Sequence, residues 1–343
     1  MLDQSTHTPA RLPSGHPPVL LIVVDTEEEF PWDQPFSRAQ TGTSAIPAQR
    51  IAHERIYDQF GIIPTYVIDW PVATTPAAYE SLRALVAQGR CEIGTHLHPW
   101  VSPPHDEVVS THNSYTGNLP AELEFEKLRM LTDAITENIG RRPTTFKAGR
   151  YGLGPHTAAA LAKLKYLVDA SVVPYTAFTA DGGPDFSRFK EDPYWFGTAE
   201  WPLLELPVTT GFHGLLRHQG AALYPMLNST AMRRLRAGGI ASRAGLLERI
   251  RLTPEGCSLD DMKRITRTMT SDGCQVLTLT YHSPSLVAGH TPYVRSAAEL
   301  ETFLESIEML CKFFKNELGG VFMSVSCLHE KLRAGESSLH LHA

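Results

Sequence analysis

The run Val19-Leu20-Leu21-Ile22-Val23-Val24, ending at Asp25, narrows the possible folds more than any other stretch. A strand wetted on one face alternates apolar and polar residues. This one does not, so it is expected to be buried on both faces, as in a parallel sheet or barrel. Further strands are expected at Ile62–Ile68, Cys91–His98, Thr144–Lys147, Tyr166–Val173, Leu203–Val208, Gln275–Thr280 and 321–326. Helical spacing lies between them, over 47–60, 76–88, 120–139, 155–165, 230–250, 258–272 and 296–317. Pro76 and Pro120 open two of these helices, and Gly89 and Gly140 close them. Ser258 with Asp261 three residues on reads as the cap of another. Strand and helix alternate about eight times, which predicts an α/β fold with a parallel sheet under covering helices, barrel or doubly wound.

No internal repeat and no linker divides the chain, so residues 19–330 read as one domain with elaborated loops at 99–119 and 174–202. Residues 1–18 read as a disordered lead-in and 331–343 as a C-terminal tail, where His340 and His342 are given no role. The net charge of −6 disfavours nucleic acid or an anionic membrane as the main partner. Five scattered cysteines without a CxxC pair fit reduced thiols in a cytoplasmic protein. Met1–Pro18 lacks the basic and apolar regions of a signal peptide, and no stretch approaches the ~20 apolar residues of a membrane span. Neither a P-loop nor a G-x-G-x-x-G motif occurs, so nothing points to a nucleotide cofactor.

The polar residues at the expected strand ends carry the chemistry. In parallel α/β folds functional groups gather at the C-terminal ends of the strands. Asp25, His96, His98, Arg150 and His282 all fall there. His96 and His98 are one residue apart on a strand, so they point to one side and suit paired imidazole ligands of a metal. Asp25-Thr26-Glu27 offers two carboxylates, one to ligate a metal and one to take a proton from water. Glu28 and Glu29 read as a solvated acidic loop. Two imidazoles and one carboxylate with open positions describe a catalytic metal site, with zinc as the expected divalent ion. Arg150, between Gly149 and Gly152, is placed to orient Asp25 or a substrate oxygen. His282 is the expected general acid. Tyr151, Trp100 and Trp32 are candidate substrate-stacking residues, weighed against plain core packing. His105 in the 99–119 loop is an alternative ligand; His112 and His290 are weaker ones. Ser283 and Ser285 near His282 lack a G-x-S-x-G elbow, which argues against a serine nucleophile.

At these residues the chain resembles the polysaccharide deacetylase superfamily (NodB homology, carbohydrate esterase family four), most closely its WalW-like branch. Val23-Val24-Asp25-Thr26-Glu27 resembles the first motif of that family, Glu92-Ile93-Gly94-Thr95-His96 the second, Ala148-Gly149-Arg150-Tyr151-Gly152 the third and Leu279-Thr280-Tyr281-His282 the last. The resemblance implies the distorted (β/α)7-8 barrel of the NodB and glycoside hydrolase-deacetylase type. It implies Asp25 as base, Glu27 as carboxylate ligand, Arg150 holding the base, the Tyr151 NH at the oxyanion and His282 as general acid. Trp100 stands where the family's second metal histidine usually falls, and His98 is the substitute. The Asp-x-Glu pattern is shared with cytoplasmic, allantoinase-like relatives. The expected activity is removal of an N-acetyl or O-acetyl group from a sugar or polysaccharide precursor. The alternatives are hydrolysis of a cyclic amide C–N bond, or an inactive relative that binds a glycan.

Overall fold

The computed structural model describes residues 2–198 and 200–340. Its strands are β1 (Thr8–Pro9), β2 (Val19–Thr26), β3 (Thr65–Ile68), β4 (Glu92–Leu97), β5 (Thr145–Ala148), β6 (Val168–Asp169), β7 (Tyr194–Gly197), β8 (Pro202–Glu205), β9 (Thr210–His213), β10 (Glu248–Arg251), β11 (Val276–His282) and β12 (Val321–Phe322). The main sheet runs β1-β7-β8-β6-β5-β4-β3-β2-β11, with β12 beside the start of β2. From β8 to β11 every neighbouring pair is parallel. β1 and β7 add an antiparallel edge. The open side of the curl is bridged by the chain around the antiparallel β9–β10 pair. Val208 N donates to Val172 O at 2.8 Å, Leu252 N to Thr209 O at 2.8 Å, and Thr278 N to Thr209 Oγ1 at 2.7 Å. This is the distorted barrel of the deacetylase type, as expected.

The unalternating composition of β2 serves two cores. Val19, Leu21 and Val23 point into the barrel with Val67, Val168, Leu204 and Val276. Leu20, Ile22 and Val24 point out to the helices. Asp25 and Glu27 continue the inward register, so the side that is apolar at the bottom of the barrel becomes acidic at its top. Helices Ala121–Ile139, Leu259–Ser271 and Ala297–Asn316 cover the outside. Ser258 and Asp261 form a capping box on the second of these. Gly140, at φ 79°, closes the first. Among the described residues, no helix is long and apolar enough to cross a membrane.

Several local expectations are corrected. The lead-in is ordered at β1, which pairs with Tyr194 and Trp195, while Ala10 and Leu12 are buried in the inner core. The segment 230–250 is not one helix. It forms short helices at Thr230–Arg234 and Ala237–Arg243 and then strand β10, because Arg236 at φ 54° breaks it between the two helices and Gly245 at φ 65° ends the second. The elaborated loop at 174–202, a reading that left room for short strands, holds the four-residue β7. The strand expected over 321–326 stops at Phe322, and helix Val325–His340 takes in most of the expected tail. Val325, Leu328 and Leu332 of that helix join the inner core with Val19 and Val276 and so seal the bottom of the barrel. Residues 341–343, His342 among them, lie outside the described residues.

Candidate metal centre and catalytic site

Parallel register sets the site. His282 of β11 pairs with Asp25 of β2, and His96 of β4 pairs with Lys147 of β5. Where β2 ends, the Glu27 NH donates to Ser283 Oγ at 3.3 Å, which holds the carboxylate over the barrel mouth. The Nε2 atoms of His96 and His98 each lie 3.4 Å from Glu27 Oε2. All three residues are buried, and Glu27 Oε1 has no hydrogen-bond partner.

This donor set fits a divalent cation. The His96 Nδ1–H donates to Lys147 O at 3.0 Å, and the His98 Nδ1–H donates to Glu28 Oε2 at 2.7 Å. Both Nε2 lone pairs are thereby left facing Glu27. Ligand atoms of a tetrahedral site with bonds of ~2.0–2.1 Å stand about 3.3–3.4 Å apart, which is the spacing seen here. Burial, the main cause in each case, lowers His96, takes His98 down to about 4 and raises Glu27. Neutral imidazoles beside a carboxyl that burial disfavours as an anion make a site in which a cation relieves the strain.

Glu28, expected in a solvated loop, is instead fully buried and supports His98. Its other oxygen accepts the Trp100 Nε1–H at 2.9 Å, and its NH donates to Asp69 Oδ2 at 2.6 Å. Asp69 in turn caps helix Trp70–Thr74 through Val72 N at 2.9 Å. Burial pushes Glu28 up to about 7 and Asp69 well above the carboxylate range. Trp100 is not an open stacking platform. It is 2% exposed, with its ring stacked on His98 at 4.2 Å and against Phe36 at 4.5 Å, so it positions a candidate ligand. On the other side of His98, a Cβ on Gly149 would stand 2.3 Å from the ring, so only glycine fits there. His105 is exposed and belongs to neither group of residues that could hold a metal.

Arg150 does not hold Asp25. Its guanidinium donates to Ser114 Oγ at 2.7 Å and to Asp181 Oδ2 at 3.2 Å, and packs over the Tyr115 ring at 4.3 Å. The reason is backbone geometry: Arg150 and Tyr151 take φ 51° and 60°, which turns the arginine out of the register of β5. Lys147, three residues earlier and in register, takes the position instead. Its Nζ donates to Asp25 Oδ1 at 2.5 Å and to Thr280 Oγ1 at 3.0 Å. Burial opposes the charge on Asp25, but Lys147, with His96 and His282, outweighs it and holds the carboxyl below its ordinary value.

His282 is oriented by Glu255, a residue the motif reading missed. The His282 Nδ1–H donates to Glu255 Oε2 at 2.6 Å, and the His282 NH and Ser285 hydroxyl donate to Glu255 Oε1 at 3.1 and 2.5 Å. Nε2 faces Asp25 Oδ2 at 3.8 Å. Burial disfavours the imidazolium, yet Glu255, then Glu27 and Asp25, hold its pKa well above the ordinary value. Lys147 and Glu255 left faint traces in the sequence: a lysine inside an apolar strand, and an acid in a Pro-Glu-Gly turn.

A cavity of about 340 Å³ opens onto Asp25, Glu27, His96, His98 and His282. Trp32 stands on its wall, edge-on to His282 at 4.9 Å and to Tyr293 at 5.7 Å. Tyr151 lines it too, stacked on Phe178 at 5.6 Å.

No family model matches the chain, and no curated protein matches it by sequence. Solved structures do. Puue allantoinase superposes with a TM-score of 0.56 at 14% identity, over 97% of this chain and 96% of that one. A protein from Mycobacterium smegmatis assigned as a polysaccharide deacetylase gives 0.52 at 18% identity, over 96% of both chains. One from Pseudomonas aeruginosa PAO1 with the same assignment gives 0.51 at 16%, over 91% of this chain and 90% of that one. At these identities the likeness is one of fold.

Proposed function

We propose that the chain is a metal-dependent hydrolase of the deacetylase kind, which removes an acetyl group from nitrogen or oxygen on a sugar. One observation carries the reading: Glu27, His96 and His98 converge between an ionised, lysine-held carboxylate and a carboxylate-held histidine. Glu27, His96 and His98 would hold the ion, with zinc as the expected metal. When bound, such an ion supplies Lewis-acid polarisation of a carbonyl and acidification of water.

The remaining chemistry belongs to the side chains. Asp25 is the general base. Lys147 occupies Oδ1, which leaves Oδ2 on the His282 side to take a proton from the attacking water. His282 is the general acid. Glu255 fixes its Nδ1–H, so the proton it can give sits on Nε2, towards the cavity. The opposed shifts of these two groups, Asp25 down and His282 up, suit a base and an acid working at one neutral pH. The Tyr151 NH, at the turn after β5, is the proposed donor to the oxyanion.

The cavity is near the small end of the range for ligand sites, ~300–1,000 Å³, so it suits one sugar unit or a chain end better than a run of polymer. The same size supports a second reading, hydrolysis of a small cyclic amide. Five free cysteines, three of them buried, are in keeping with a reducing compartment.

The test is metal analysis together with acetate release from N-acetylated and O-acetylated sugars, and ring opening of cyclic ureides. The expected result is about one equivalent of divalent ion and turnover in one of the two substrate sets. Asp25→Asn should keep the metal and lose roughly 10³-fold or more in kcat. A protein without stoichiometric metal, or an Asp25→Asn variant as active as the parent, would sink the reading.

A further inference from the structure

The charged groups that line the cavity are, with one exception, met by an opposite charge or a ligand-like neighbour. Asp25 has Lys147 at 2.5 Å, His282 has Glu255 at 2.6 Å and Arg150 has Asp181 at 3.2 Å. Glu27 lies 3.4 Å from each of two imidazoles. The exception is Arg251. It ends β10, where antiparallel pairing sets it opposite Thr210. Its guanidinium lies 5.4 Å from the centroid of the Tyr151 ring, and Nη1 is 3.4 Å from the Tyr151 hydroxyl. Among the described residues no carboxylate forms an ion pair with it. Its strand neighbour Arg249 is committed elsewhere: it donates to Tyr175 O at 3.2 Å and to Thr176 Oγ1, and packs over Tyr224.

Tyr151 ties this guanidinium to the reacting groups. Lys147 Nζ also stands 5.4 Å from the centroid of the same ring, so one aromatic side chain separates Arg251 from the Asp25–Lys147 pair. The ring is held there by the two consecutive left-handed residues, a conformation that persists in non-glycine residues only where the surroundings impose it.

We propose that Arg251 is the anion-recognition residue of this site, and that the substrate carries a phosphate or carboxylate group close to the acyl group that is cleaved. This rests on the hydrolase reading of the same cavity. A half-buried guanidinium with no counter-charge is unfavourable until a ligand supplies one. Its planar fork matches two oxygens of a phosphate or carboxylate. The chain carries −6 overall, a charge that repels anions, so an unanswered cation inside the cavity is a local feature with a local use. A divalent ion at Glu27 would add further positive charge, which a neutral sugar would leave uncompensated.

The experiment compares kcat/KM of the metal-loaded enzyme on N-acetylglucosamine, its 1-phosphate and 6-phosphate, and N-acetylmuramic acid. At least one anionic substrate should exceed the neutral sugar by roughly tenfold or more, and the phosphate and carboxylate arms identify the anion. Arg251→Gln should lower kcat/KM on the preferred anionic substrate by roughly 10–100-fold, mainly through KM. The anionic-to-neutral ratio should fall towards one, with Arg251→Lys restoring part of it. Equal rates on charged and neutral sugars, or a ratio that survives Arg251→Gln, overturns the proposal while leaving the hydrolase reading intact. If no sugar in the panel is hydrolysed, titration of the same four compounds against the protein's intrinsic tryptophan fluorescence still decides. Tighter binding of an anionic sugar that weakens tenfold in Arg251→Gln supports the assignment, and its absence overturns it. Thermal unfolding of each variant checks that it is folded.

Discussion

At the scale of the residue, the site depends on how each reactive group is held by a neighbour. In the proposed mechanism His282 acts with a proton on Nε2, and the Glu255 carboxylate holds its Nδ1–H and favours its charged form. Activity that needs protonated His282 falls as pH rises through its pKa, which lies well above the ordinary histidine value. Removing the Glu255 charge lowers that pKa, so in Glu255→Gln the alkaline limb of kcat/KM should move to lower pH by about 1 unit or more. A pH–rate profile of the two proteins measures this, and an unmoved limb would remove His282 as the titrating acid. His96 and His98 were legible as a pair because two residues in a strand share a side. Glu28 was not, since a run of three acids gives no sign of which one turns inward. Only its approach to His98 at 2.7 Å shows that it is buried support.

At the scale of the element, β6 and β8 pair in register and set Asp169 beside Glu205 in a layer with no solvent. Asp169 accepts from the Ser171 hydroxyl, and Glu205 accepts from Val172 N at 3.0 Å. Asp169 Oδ2 and Glu205 Oε2 have no other partner. Burial raises both carboxyls above their ordinary range, and Asp169 raises Glu205 further, so the folded pair retains a proton. Groups raised in the folded state stabilise it fully below the ordinary carboxyl range, and that contribution is lost as pH rises through their folded pKa values. Denaturant unfolding at pH 5 and pH 8 should therefore show lower stability at pH 8. Glu205→Gln should recover on the order of 1 kcal/mol or more there. A variant with the same loss between the two pH values would contradict the shared proton. The pair was invisible in the sequence because neighbouring β6 and β8 are separated there by the antiparallel excursion through β7. The β9–β10 pair was hidden for a similar reason. Residues 248–251 continue a helix-like pattern, and it is their pairing with 210–213 that makes them a strand.

At the scale of the whole molecule, the proposed metal would tie together parts of the barrel's top that are far apart in the chain. Three ligand candidates come from the ends of two strands distant in sequence, so a bound ion would clamp the end of β2 to that of β4 across the mouth. Adding zinc to chelator-treated protein should raise the unfolding temperature. The stabilisation should amount to about 2.7 kcal/mol when free metal stands at 100 times its Kd. Because burial raises the Glu27 carboxyl, binding should also release protons at pH values where that carboxyl is still partly protonated. Glu27→Gln should lose both effects while folding to the same barrel. Scanning calorimetry with and without zinc reads the outcome, and an unfolding temperature indifferent to metal would argue against the centre.

The amino-acid order by itself determined the alternation of strand and helix, a parallel sheet that left barrel and doubly wound forms open, and the placing of Asp25, His96, His98, Arg150 and His282 at strand ends. Those are consequences of periodicities of two and of 3.6, which are local and survive in a linear text. Tertiary structure decided the partners. Lys147 rather than Arg150 holds Asp25, because two left-handed residues turn the arginine away and leave the in-register lysine facing inward. Glu255 reaches His282, and Arg251 reaches the cavity wall, through the long-range β9–β10 pairing that no spacing announces. Charge pairing acts through space over a few ångströms, and the distance between two residues along the chain carries almost no information about it.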